Sequence, residues 1–331
     1  MRKTNFAIIG AGRIGKRHAA VIQQCEHAKL VAICDAAFEN DVKKSDFFGQ
    51  IPCFSDLEMM LKSVENIDVV VIATPNGLHE THALAALHAG KHVVIEKPMA
   101  LTKAGGERIL HAALGRGKQV FCVMQNRYAA ASVWLKKLVE SQKLGQIFQL
   151  QINCFWNRDE RYYFENGQRT WHGTELDGGV LFTQFSHFID LIYWLFGDIS
   201  HLQANFKNFN HPYLHSMEDA GIVTFSFSGG AMGCLHYSTA VSDKNFESSI
   251  SIIAENGTVK VSGQYMERVE YFHLKNDDFP PPAPHAHEAN ANHQKIIENV
   301  VEVLGGTAQI TTNALEGLKV VEIIEKIYQL K

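Results

Sequence analysis

Cysteine is sparse and unpatterned in this sequence: Cys25, Cys34, Cys53, Cys122, Cys154 and Cys234 are scattered without a C-x-x-C pair, several of them inside apolar runs. That spacing argues against a disulfide framework or a thiolate metal site and suits thiols packed as small hydrophobes. No apolar run approaches the ~20 residues of a membrane span, and no apolar signal core precedes the first strand. A cytoplasmic protein without a membrane partner is expected. Positive charge is not in excess either: 31 Lys and Arg against 35 Asp and Glu leave a formal net charge of -4, which argues against nucleic acid. Any anionic substrate must therefore be held by local groups. Internal repeats and long low-complexity tracts are also missing. What remains is ordinary globular composition, 46% hydrophobic and 20% charged over 331 residues, enough for two domains with separate cores.

The N-terminal stretch Phe6-Ala7-Ile8-Ile9-Gly10-Ala11-Gly12-Arg13-Ile14-Gly15 organises the rest. An apolar run that stops at glycine and restarts with helical spacing reads as strand, tight turn and helix, the context in which G-x-G-x-x-G carries meaning. Gly10 permits the turn, Gly12 admits backbone N–H groups to a pyrophosphate, and Gly15 lets helix and strand pack closely. A second strand, Lys29 to Cys34, ends at Asp35, about twenty residues beyond Gly15, where a carboxylate accepts hydrogen bonds from a ribose diol. A 2′-phosphate is repelled there, so NAD is favoured over NADP.

Strand and helix then alternate. A polar helix is expected from Asn40 to Phe48, a short strand at Pro52 to Phe54, a helix capped by Asp56, the buried strand Asp68 to Ala73, a helix from about Glu80 to Ala89, the strand His92 to Ile95, a helix capped by Thr102, and a sixth strand at Val120 to Met124. That is a doubly wound parallel sheet, whose ligands lie beyond the carboxyl ends of its strands. The candidate cofactor contacts on that rim are Gly10, Gly12, Arg13, Ile14, Gly15, Asp35, Thr74, Pro75, Asn76, His79, Glu96, Lys97 and Gln125. Within Glu96-Lys97-Pro98, Pro98 directs the lysine and Glu96 can hold a ribose hydroxyl or the ammonium. A lysine with a free pKa of about 10.4 becomes an acid–base group only if burial or nearby positive charge lowers it. A solvated loop lysine is the competing reading.

Beyond Asn126 the pattern changes to longer, alternating segments: Phe148 to Trp156, Ile199 to Phe206, Ala220 to Phe227, Met232 to Tyr237 and Ser249 to Ile253. These suit a large, mostly antiparallel sheet. A helix from Val180 to Leu195 carries Gln184, His187 and Asp190 one turn apart on one face. A lone helical histidine is usually structural, but this one follows Gly178-Gly179 and has polar neighbours. The segment from Trp156 through Arg158, Tyr162, Tyr163, Arg169 and Trp171 is dense in guanidinium and aromatic groups, which suit a carboxylate or phosphate. Alternatively, Asp159 and Glu160 pair those arginines locally. Phe279 to Pro284 reads as an extended linker, and His285, His287 and His293 lack a complementary ligand pattern, so no metal is expected. Two amphipathic helices, about Ala291 to Leu304 and Asn313 or Ala314 to Tyr328, close the chain.

Together, the glycine fingerprint, Glu96-Lys97-Pro98 and Gly178-Gly179-(x)7-His187-(x)2-Asp190 make the chain resemble the glucose-fructose oxidoreductase / myo-inositol dehydrogenase (Gfo/Idh/MocA) family over essentially its full length. The resemblance implies a Rossmann domain, residues 1–125, followed by a substrate-binding and oligomerisation α+β domain with an open-faced sheet, residues 126–331. It implies NAD(P)-dependent oxidation of sugars or cyclitols by homodimers or homotetramers formed through that sheet. Lys97 and His187 match the family's catalytic lysine and histidine. Thr183 stands where many members carry aspartate, which leaves acid–base work to Lys97 or His187. Within the family, the chain looks like the bacterial UDP-N-acetylglucosaminuronic acid 3-dehydrogenases of surface-polysaccharide pathways, with His172 where those tend to have arginine. Asn126, Arg158, Tyr163, Arg169, Trp171, Thr183, Gln184 and His187 are the candidate substrate contacts. Another sugar or cyclitol dehydrogenase, an NAD-dependent glycosidase and a dinucleotide-sensing regulator are the alternatives.

Overall fold

The computed structural model describes residues 2–39, 47–214, 217–275, 279–283 and 290–331. Most of the helix expected over Asn40 to Phe48, together with His285 and His287, lies outside the described residues. The chain divides into two compact units, residues 1–124 with 289–321, and residues 125–288 with 322–331.

The first unit alternates as its apolar runs predict. Strands β1 (Thr4–Ile9), β2 (Ala28–Cys34), β3 (Cys53–Phe54), β4 (Val69–Ile72), β5 (His92–Ile95) and β6 (Val120–Cys122) are separated by helices α1 (Arg13–Gln24), α2 (Leu57–Ser63), α3 (His79–His88) and α4 (Lys103–Arg116). Helices α2 and α4 start where expected, because the Asp56 and Thr102 side chains accept from the Met59 and Gly105 amides. All six strands are parallel, in the order β3-β2-β1-β4-β5-β6. Val69 to Ile72 and Val93 to Ile95 are fully buried, as a sheet covered on both faces requires. The order reverses between β1 and β4, so the glycine turn after β1 occupies the switch point of a Rossmann sheet.

The second unit contains α5 (Ala130–Glu140), β7 (Ile147–Phe155), the short α6 (Glu160–Tyr163), the hairpin β8 (Phe164–Glu165) and β9 (Gln168–Arg169), α7 (Ser186–Phe196), β10 (Ile199–Lys207), β11 (Ala220–Phe227), β12 (Met232–Ser238), β13 (Glu247–Ala254), β14 (Gly257–Ser262) and β15 (Arg268–Leu274). Seven strands form one sheet in the order β10-β11-β12-β7-β13-β14-β15, antiparallel except where β12 meets β7. Strands β14 and β15 extend beyond the sequence reading. β15 is an edge strand whose charged Arg268 and Glu270 dilute its apolar signal. One face buries Leu150, Ile152, Val223, Leu235, Ile250 and Val259, whereas Ile222, Met232 and Ile253 on the other are exposed.

The return of the chain corrects the expected domain boundary. Helix α8 (Ala291–Leu304) and the first part of α9 (Ala314–Tyr328) belong with the first unit. Ile296, Ile297 and Val300 of α8 are buried, the Cys122 amide donates to the Thr312 carbonyl, and Phe121 bridges Asn313 beside β6. An amphipathic helix needs an apolar face to cover, and sequence periodicity does not say which.

Candidate active site

In the first unit, the glycine turn has the shape its sequence predicts. Gly10 has φ +96°, and a Cβ there would strike the Ala73 carbonyl. A Cβ on Gly15 would meet the Gly10 carbonyl oxygen, whereas one on Gly12 would point into open space. Gly12 caps α1 without a side-chain hydrogen bond, so the helix N-terminus keeps donors for an anion. The Asp35 carboxylate accepts from the Ala11 amide (2.7 Å) and the Ala37 amide (2.9 Å), bracing the turn. The open cradle at Gly12 and the carboxylate beside it fit a dinucleotide.

The next two strand ends are tied together by a residue expected to touch cofactor. His79 is buried, with Nδ1 2.6 Å from the Pro98 carbonyl oxygen and Nε2 2.9 Å from that of Thr74. It thus links Thr74-Pro75-Asn76 to the Lys97–Pro98 turn, whose peptide bond is cis. Glu96 is also buried. Its Oε1 lies 2.8 Å from His18 Nε2 and 3.9 Å from His293 Nε2. Burial opposes the carboxylate charge, but the His18 hydrogen bond and the His18, His293 and Lys97 charges outweigh it and hold the carboxyl at about 2. His18, Glu96 and His293 are close enough to ligate a metal, although their spacing already accommodates the hydrogen bond. Sequence reading missed His18, one of several polar residues in α1 with nothing local to mark it.

In the second unit, Gln125 to Tyr128 form a short 3-10 turn, and Gln125, Asn126 and Arg127 are all buried. The Gln125 amide nitrogen donates to His187 Nε2 at 3.0 Å. Gln125 Oε1 and Asn126 Oδ1 are buried without a hydrogen-bond partner among the described residues, leaving two acceptors that call for ligand donors. Arg127 pairs with Asp190, so Asp190 is spent on a buried ion pair rather than on substrate.

The expected uniform helix from Val180 begins with a π-helical segment, Leu181–Phe185, before α7. Gln184, in that segment, and His187, in α7, have different partners. Gln184 Oε1 accepts from Arg158 Nε at 2.7 Å, and its amide donates to the Tyr162 hydroxyl at 2.6 Å. The Tyr162 hydroxyl is 3.0 Å from His172 Nδ1, and the two rings stack. The Arg158 guanidinium lies over Trp156 and Tyr162, 4.9 and 5.3 Å from the ring centroids. Arg161 bonds Asp159 locally, while Arg158 Nη1 donates to the Asn157 carbonyl at 2.5 Å and to Asn245 Oδ1 at 3.2 Å.

The remaining candidates are held by the protein itself. Thr183 donates to the Asp177 carboxylate, which also accepts from the Gly173 amide. Tyr163 is buried among aromatic rings, and Arg169 donates to the Gly173 and Tyr213 carbonyls. The Trp171 ring packs on His172. No disulfide joins the described cysteines, and burial pushes Cys34 up to about 12, which keeps its thiol protonated and inert.

A Rossmann unit with an open anion cradle and a second unit built on a large mixed sheet define a two-domain, NAD-binding oxidoreductase. Comparison with known proteins agrees. Residues 4–124 match the NAD-binding Rossmann fold of an oxidoreductase family, and residues 133–260 match the GFO/IDH/MocA C-terminal domain. The chain belongs to the Gfo/Idh/MocA family. The structure of the WlbA dehydrogenase from Bordetella pertussis, in complex with NADH and UDP-GlcNAcA, is similar with TM-score 0.88 and 34% identity, over 99% of this chain and 96% of that one. Among curated relatives, an inositol 2-dehydrogenase/D-chiro-inositol 3-dehydrogenase of Halalkalibacterium halodurans is 28% identical over 69% of this chain and 63% of its own length. The D-glucoside 3-dehydrogenase of Escherichia coli is 24% identical over 98% of this chain and 94% of its own length.

Proposed function

We propose that this protein is an NAD-dependent dehydrogenase that oxidises a ring secondary alcohol of a UDP-linked uronic acid sugar such as UDP-N-acetylglucosaminuronic acid. The observation that carries the reading is Arg158, a guanidinium held over two aromatic rings and bonded to Gln184, one turn before His187. Planar guanidinium groups bind carboxylates and phosphates in a defined direction. The full-length likeness to a dehydrogenase whose structure holds NADH and UDP-GlcNAcA supports that choice of anion.

Bound NAD supplies the hydride acceptor. Lys97 takes the hydroxyl proton as the carbonyl forms, and His187, held by Gln125, orients the alcohol. Gln125 Oε1 and Asn126 Oδ1 accept hydrogen bonds from the ligands. Arg158 and Gln184 hold the anionic part of the substrate. Thr183, Trp171, Tyr163 and Arg169 shape the wall through the contacts they make within the protein. The enzyme works in the cytoplasm as a homodimer or homotetramer joined through the open sheet face, where Ile222, Met232 and Ile253 are exposed.

The test is NADH absorbance with purified protein, NAD and UDP-N-acetylglucosaminuronic acid, with 2-oxoglutarate added in a parallel run. An absorbance rise supports the reading, as does keto-sugar product without a rise when only the keto acid completes the cycle. Turnover of myo-inositol in place of the nucleotide sugar would move the substrate to the cyclitols named for the curated relatives. Glycoside cleavage with retained cofactor would make it a glycosidase, and NAD binding without turnover of any of these would indicate a regulator.

A further inference from the structure

The Arg158 backbone is held on both sides, at its amide by Thr239 and at its carbonyl by His211, and both partners lead to Asp219. The Arg158 amide donates to the Thr239 carbonyl (2.9 Å), and the Thr239 amide donates to the Asp219 carbonyl (2.7 Å). Its own carbonyl lies 2.6 Å from His211 Nε2, and His211 Nδ1 lies 2.8 Å from Asp219 Oδ2. His211 and Asp219 are buried at 2% and 0% exposure. The Asp219 carboxylate accepts from the Phe209 and Asn210 amides as well, which marks it as ionised. A backbone carbonyl and a carboxylate have no proton to give. Both bonds therefore require N–H on both ring nitrogens, so the ring is an imidazolium.

We propose that His211 is a positioning residue for Arg158: as a doubly donating imidazolium it anchors the Arg158 peptide to the Asp219 turn and sets the direction of the guanidinium. This rests on Arg158 binding the anionic part of the substrate. A neutral ring donates only once. Its single N–H stays with the charged Asp219, and the Arg158 carbonyl then faces a lone pair, so deprotonation releases Arg158 first.

The groups facing the ring agree with the charged form. Asp219 and Tyr213 flank it from its own side, while Asp159, Tyr163 and the Arg158 carbonyl face it from the segment after β7. Desolvation lowers the ring's pKa, but the bonds to Asp219 and the Arg158 carbonyl and the Asp219 and Asp159 charges raise it further, so the net shift is upward from 6.5.

Imidazole-nitrogen NMR on the histidine-labelled full chain tests the protonation state without substrate. Both His211 nitrogens are expected to be protonated at neutral pH and to titrate above 6.5; a neutral ring there would overturn the proposal. The Trp156 indole, under the Arg158 guanidinium, is expected to report the same inflection in its fluorescence, and a signal blind to it would also overturn the proposal. UDP-N-acetylglucosaminuronic acid binding to the NADH-loaded protein is expected to weaken about tenfold above that inflection and in His211→Gln, with NADH affinity unchanged. Wild-type affinity in His211→Gln would count against a positioning role. Asp219→Asn is a second variant, expected to move the inflection to lower pH. If the wild type does not bind this nucleotide sugar at all, the substrate assignment fails, and the NMR and fluorescence titrations still decide the clamp.

Discussion

Arg127 donates three hydrogen bonds to Asp190, from Nε at 3.1 and 2.9 Å and from one terminal nitrogen at 2.6 Å, with the two side chains 0% and 1% exposed. The pair joins the turn that carries Gln125 and Asn126 to the helix that carries His187. Removing one partner leaves a buried charge without compensation, whereas removing both does not. Asp190→Ala is therefore expected to lower stability by about 3–5 kcal/mol, and the double change with Arg127→Met by less. Urea unfolding of the three proteins measures it, and a double variant weaker than the single one would contradict the account.

Lys97→Met is expected to lower kcat by about 100-fold or more while NAD affinity stays near the wild-type value, because a proton acceptor is lost and the glycine cradle is untouched. Steady-state kinetics with NADH fluorescence titration checks both. A near-normal kcat would remove Lys97 from the mechanism.

Asp35 braces the Ala11 amide, and in the function proposed above its carboxylate also accepts from a ribose diol. Asp35→Ala is expected to weaken NAD binding about 10–100-fold and to narrow the preference over NADP, since the repulsion of a 2′-phosphate is removed together with the acceptor. Competition between the two cofactors reads the ratio.

The Glu96 carboxyl is held at about 2 in the folded chain against an ordinary 4.5. A depressed acid stabilises the fold above its unfolded pKa, so this contribution is intact above 4.5 and is lost as pH falls from there towards 2. Unfolding free energies at neutral and acidic pH are expected to diverge by a few kcal/mol more in wild type than in Glu96→Gln. Parallel slopes would show that the His18–Glu96 pair is not carrying the charge.

The Tyr328 hydroxyl accepts from the Leu181 amide at 2.9 Å and donates to Glu218 at 2.6 Å. Tyr328→Phe leaves the first donor of the π-helical segment unsatisfied and is expected to cost about 1–3 kcal/mol. A raised KM at similar kcat is expected too, because Gln184 sits in that segment. Chemical denaturation and kinetics on the same preparation check the two effects.

Local pattern alone made much of this protein legible. The six parallel strands, the Asp56 and Thr102 caps, and the glycine turn with Asp35 all follow from runs of a few residues, because propensity, capping and φ > 0 are short-range properties. Lys97 and His187 stand out only as motif members, and their catalytic roles remain a proposal, since nothing local separates a solvated lysine or a core histidine from a working one. Residue pairs far apart in sequence were decided by the tertiary structure. Packing, not pattern, put Asp190 on Arg127, His18 and His293 on Glu96, His79 between two carbonyls, and His211 on Asp219. The same holds for residues 289–321, whose amphipathic face announces burial without naming its partner. The sequence by itself determined the dinucleotide fold and the residue types available for chemistry. Tertiary structure alone decided which charges are spent on one another and which acceptors are left for ligands, because those pairings depend on distances that only the packed chain creates.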